Sequence, residues 1–119
     1  MKTEDITLLY IHKWSRALCC GTSTPLVVRD LSGVAGISLE QLMDIRFGAI
    51  HQLISHLRSE TVFLLGLGLA HAALLDCSPV LAERAVVLLI SAAVENQNLD
   101  GPWMHDIVER LHLVSRQAS

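Results

Sequence analysis

The chain has 119 residues, 51% hydrophobic, 18% charged and 4% aromatic, with nine Lys and Arg against twelve Asp and Glu for a net charge of −3. One domain of that length can bury a real core, and the composition excludes a disordered chain. The acidic balance excludes tight DNA binding by this chain alone, because neutralised phosphates supply most of such affinity. A shared role beside a basic partner stays open.

The N-terminal stretch MKTEDITLLYIHKW places acids and a histidine where a signal peptide needs an uninterrupted apolar core. Cys19, Cys20 and Cys77 make an odd count with an adjacent pair, which is no secreted disulfide framework. These features predict a reducing cytoplasm, with one intermolecular disulfide left open. So much apolar surface on a small chain also predicts shielding by another subunit.

Strand signals are nearly absent, and helix starts are well marked. Thr3 caps a first predicted helix with Glu4 and Asp5 in its first turn. Leu8, Leu9, Ile11, Trp14, Ala17 and Leu18 give its apolar stripe, Lys13 and Arg16 lie beside it, and Gly21 stops it. Thr24-Pro25 opens a short second helix to about Val34. Ser38-Leu39-Glu40-Gln41 fits a capping box and starts a third, running to about Leu57. Ser59-Glu60 opens a fourth that ends near Asp76, and Ser78-Pro79 a fifth to about Glu95. After the polar loop NQNLDG, Gly101-Pro102 opens a last helix with Trp103, Ile107, Val108, Leu111 and Val114 on its apolar side. The expected fold is a single all-α domain over residues 1–119, of five to six helices.

The uncharged run TVFLLGLGLAHAALL, Thr61 to Leu75, is closed by Glu60 and Asp76 and contains His71. A membrane span needs about 20 apolar residues, so a buried core or interface helix is expected here rather than a membrane hairpin. Gly66-Leu67-Gly68 follows no strand and makes no phosphate turn. Gly66, Ala70 and Ala73 fall at helical spacing, where small side chains let another helix approach closely; a dimer interface at Gly66 and Ala70 is the expectation.

Residues Leu31 to Gly48, LSGVAGISLEQLMDIRFG, have the spacing of a helix-turn-helix. Two helices crossing sharply need a small residue at the crossing and a glycine near the turn. Ser32 and Gly36 fill those places, and Leu31, Ala35, Ile37, Leu42 and Ile45 supply the inward positions. The outward positions Ser38, Leu39, Glu40, Met43, Asp44 and Phe47 suit DNA poorly, because phosphates repel carboxylates and base edges favour Arg, Lys, Asn and Gln. Leu39, Met43 and Phe47 are better anchors for a protein partner. Ser38, with the flanking Arg29, Arg46 and Arg58, makes up the candidate DNA contact.

The segments GISLEQLMDI and HQLISHLRSE resemble the middle of the FlhD family, the D subunit of the bacterial flagellar master activator. The matching positions are Leu39, Gln41, Leu42, Gln52, Leu53, Ile54 and Arg58, and AVVLLISAAVENQN is similar to the late family helix. The chain departs from the family in having Leu57 in place of an aromatic and Ser55 where some members have cysteine. The resemblance implies an intertwined α-helical homodimer or higher oligomer that binds an FlhC-like DNA-binding subunit, with DNA reached through the complex.

Catalytic and metal chemistry are not expected. His51 and His56 are five apart and on different helix faces, His105 and His112 lack a completing ligand, and His12 and His71 are isolated. His71 suits a satisfied core position. No nucleophile–base set and no paired carboxylates in an apolar setting stand out, so no enzyme activity or cofactor is expected. The leading expectation is a cytoplasmic subunit of a transcriptional activator complex. Its rival is a helical adaptor or inhibitor without direct DNA contact.

Overall fold

The described residues are helical, with short turns joining one helix to the next. The computed structural model describes residues 55–116 together with Ile11, Lys13, Ser15, Arg16, Ala49 and Gln52, and no strand occurs among them. Helices α1 (Ser59–Asp76), α2 (Pro79–Glu95) and α3 (Pro102–Arg116) follow one another, with a 3-10 turn at Gln97–Leu99 between the last two. The all-α class expected from the capping signals is therefore observed. The helix-turn-helix segment and the dimer arrangement lie outside the described residues.

The central helix α1 is buried from Val62 to Ala73 without a break. A helix with no charged residue between Thr61 and Leu75 has no face suited to water, and the fold wraps it on several sides. It is also the one described helix long and apolar enough to cross a membrane, with 67% of that window buried inside the protein. Leu64, Leu65, Leu67 and Leu69 of α1 meet Leu88, Leu89 and Ile107 in the fully buried core. Each such side chain stabilises the fold by about 1.5–3 kcal/mol through lost apolar exposure.

Small residues set how closely α1 and α2 approach. A Cβ added at Gly66 would stand 3.0 Å from Leu89 Cγ and 3.2 Å from Leu88 Cβ, so only glycine fits without repacking. The close approach expected at Gly66 is made within the chain itself, against α2. Ala70, fully buried, belongs to the same core. The main helix interface is α1 with α2; α3 packs chiefly on α2 and less on α1.

Helix ends follow local chemistry. Ser78 accepts a hydrogen bond from the Leu81 backbone N–H at 3.3 Å and Pro79 follows at the first helical position, as the Ser78-Pro79 pair predicts. At α1 the cap differs from expectation. Arg58 takes the N-cap position with no side-chain bond, and the Ser59 hydroxyl donates to Glu60 Oε2 at 3.4 Å instead. The α1 C-terminus turns through Cys77 at φ 50°, ψ 45°, with the Cys77 and Ser78 N–H groups both reaching Ala73 O.

Ahead of α1, Ala49 and Gln52 are helical, but residues 55–57 form a turn. The third helix thus ends sooner than Leu57. The Ser55 hydroxyl donates to Gln52 O at 2.7 Å, a local bond that competes with continuing the helix. Near the N-terminus, Ile11 and Ser15 are buried while Lys13 and Arg16 are exposed, the amphipathic split expected for the first helix.

Candidate functional site

Two features among the described residues offer more than packing. The first is the outward face of α2. Its core side carries Leu81, Ala82, Ala85, Leu88, Leu89, Ala92 and Ala93. At 100° per residue, Val80, Glu83, Val87, Ile90 and Val94 line up on the opposite side. Val80 is 59% exposed, Ile90 44% and Val94 77%. A helix packed on one face normally carries polar residues on the other, yet four of these five positions are apolar. Glu83 sits within the stripe, and Glu95 lies one position beyond its C-terminal end.

The second feature is a cavity of about 410 Å³ where the start of α1, the loop after α2 and the first turn of α3 converge. Its lining includes Ile11, Phe63, Leu99, Trp103 and Met104, with Ser15, Glu60, Asn96 and Asn98 as the polar groups. Asn96 organises this corner. Its side-chain carbonyl accepts from the Asn98 N–H at 3.1 Å, capping the 3-10 turn, and its Nδ2 donates to Glu60 Oε1 at 3.1 Å. The polar loop is thereby clipped to α1 across 36 residues of sequence. Arg58 Nε stands 3.9 Å from Glu60 Oε2, while the Glu60 side chain is only 25% exposed.

The sequence-predicted site residues distribute unevenly. Arg29, Ser38, Leu39, Met43, Arg46 and Phe47 lie outside the described residues. Arg58 is exposed at the N-cap of α1, with Nε 3.9 Å from Glu60 Oε2. Gly66 and Ala70, expected to meet a partner, are buried in the core. Trp103, expected on the apolar side of the last helix, is 41% exposed and lines the cavity, while Met104 takes the buried place.

His71 is fully buried in α1, the core position expected for it. His105 does have a carboxylate partner, Asp100, with Nε2 and Oδ1 2.9 Å apart, but no group of three or more metal ligands occurs among the described residues. Cys77 is a free, exposed thiol. Neither the outward face of α2 nor the cavity was flagged in the sequence. Val80, Val87 and Val94 repeat every seventh residue, but that spacing alone does not assign them to the outward side. Nothing local announces the cavity.

No protein-family model, curated protein or solved structure matches the chain.

Proposed function

We propose that the protein is a helical interaction subunit of a bacterial transcriptional activator, carried to DNA by a basic partner subunit that seats an apolar helix on the outward face of α2. The stripe of exposed Val80, Ile90 and Val94, with the half-buried Val87 between them, carries the reading. Apolar side chains at a and d spacing on an otherwise solvated face form the seam of a helix pair.

Charge selects the occupant. Residues 55–116 hold seven acidic side chains against four basic ones, so the whole net charge of −3 falls in this part of the chain. Glu83 lies in the stripe and Glu95 at the C-terminal end of α2, which favours a partner helix edged with Lys and Arg. A second copy suits the stripe less well. A parallel pair of copies would set Glu83 against Glu83, whereas a basic partner helix would answer it.

In this reading five to six helices make up the domain, the helix-turn-helix-like pair at Leu31–Gly48 lies beside the DNA, and Arg29, Ser38, Arg46 and Arg58 touch its backbone. Homodimerisation, if it accompanies the assembly, uses surfaces other than the α2 stripe. The resemblance to the FlhD family supports the same division of labour, with DNA affinity residing in the FlhC-like subunit.

Co-purification from the native host tests the reading, with the wild-type chain compared to Val80→Asp and Val94→Asp, both at exposed positions. The expected result is a basic DNA-binding protein retained by the wild type and lost with either variant, and a reconstituted pair that shifts promoter DNA. Retention only of proteins without DNA affinity would favour the adaptor reading. Loss of nothing in the variants would remove α2 from the argument.

A further inference from the structure

We infer that the cavity between α1, the Gln97–Leu99 turn and α3 is a binding site for a small uncharged aromatic molecule bearing a carboxamide. Its volume, about 410 Å³, falls in the range of small-molecule sites, roughly 300–1,000 Å³. None of Val80, Val87, Ile90 and Val94 lines it, so the inference is independent of the partner face on α2.

Charge argues against an ionic ligand. Among the described residues around the cavity, Glu60 is the one ionisable group, and its carboxylate is already answered. Arg58 Nε stands 3.9 Å from Oε2, the Ser59 hydroxyl donates to that same oxygen at 3.4 Å, and Asn96 Nδ2 donates to Oε1 at 3.1 Å. A cationic ligand would compete with these partners, and an anionic one would meet a carboxylate. The N-termini of α1 and α3 adjoin the cavity against the C-terminus of α2, an excess of about half a unit of positive charge. That excess favours a carbonyl oxygen but falls short of the counter-charge that a desolvated carboxylate needs.

Each half of the ligand has a matching surface. Phe63, Met104 and Ile11 are buried beside the cavity, and the half-exposed indole of Trp103 lines it. An aromatic ring gains offset or edge-to-face contacts there. The polar half meets Asn98. Asn96 Oδ1 holds the Asn98 backbone N–H, while the Asn98 side-chain amide makes no hydrogen bond among the described residues. A carboxamide and an asparagine side chain each offer an N–H donor and a carbonyl acceptor, so the two pair reciprocally. The hydroxyl of Ser15, a residue only 3% exposed, lines the cavity as a further polar contact.

Gly101 and Asn98 supply discriminating variants. A Cβ built at Gly101 meets nothing within 4 Å, so Gly101→Leu adds bulk at the lining from an uncrowded position. Asn98→Ala removes the amide at an exposed position and keeps the backbone N–H that Asn96 holds. Titration of the full chain with phenylacetamide, phenylacetate, phenethylammonium and ethylbenzene, followed by ligand-observed NMR and calorimetry, tests the site. Phenylacetamide is expected to bind at least about tenfold more tightly than either ion.

Asn98→Ala should cost phenylacetamide about tenfold and leave ethylbenzene unaffected. Gly101→Leu should weaken both while the thermal transition stays in place. Either ion bound as tightly as the amide, no amide binding up to about 10 mM, or an unchanged amide affinity in Asn98→Ala would each overturn the inference.

Discussion

Cys77 occupies the left-handed region, φ 50°, at the C-cap of α1, where a Cβ crowds the backbone and glycine does not. Its thiol makes only a 4.0 Å contact to Leu74 O, so little is lost by removing it. Cys77→Gly is expected to stabilise the protein by about 0.5–1 kcal/mol, the relieved strain exceeding the extra entropy of glycine in the unfolded chain. A higher urea midpoint at unchanged slope would show it.

Gly66 runs the other way. Alanine there gains about 1 kcal/mol of helix propensity, but its Cβ would press on Leu89 Cγ at 3.0 Å and Leu88 Cβ at 3.2 Å. Overpacking typically costs about 1–3 kcal/mol, so Gly66→Ala should lower the urea midpoint despite the better helix former. Sequence alone could rank both residues as unusual. It could not separate them, because the sign depends on φ at one site and on another helix's side chains at the other.

At the scale of elements, caps were the most legible feature. Ser78-Pro79 and Gly101-Pro102 mark helix starts through chemistry contained in two residues, and both starts are observed. The α1 start was legible in position but not in mechanism, since Arg58 rather than Ser59 takes the cap. Faces were harder. In α2 both sides are apolar, so periodicity cannot say which valines meet the core and which meet solvent. The Glu60–Asn96 clip and the cavity around it join residues 36 apart, beyond the reach of any local pattern.

A paired substitution on α2 separates its faces. Leu89→Ala removes a fully buried side chain and should cost about 2–5 kcal/mol. Val94→Ser, at a position 77% exposed, should fall within about 0.5 kcal/mol of the wild type. Equal losses at the two positions, measured by thermal or urea unfolding, would mean that the outward face is covered within the chain itself.

For the whole molecule, the charge distribution constrains the proposed approach to DNA. All of its net charge, −3, falls in residues 55–116, so the helices described here repel a phosphate backbone unless a partner answers them. The isolated chain is therefore expected to leave promoter DNA unshifted at physiological salt, and the complex to shift it. Arg58 is the one predicted DNA contact within the described helices. Its side chain is 60% exposed and ion-paired with Glu60, Nε standing 3.9 Å from Oε2.

If Arg58 meets a phosphate, Arg58→Ala should weaken the complex on every sequence alike and reduce the salt slope of log K by about one. Val94→Asp should act differently, preventing assembly with the partner and removing this chain's contribution to the shift altogether. An unchanged salt slope in Arg58→Ala would take the α1 N-terminus away from the DNA. The proposed partner contact through α2 would then be the one remaining route to DNA among the described residues.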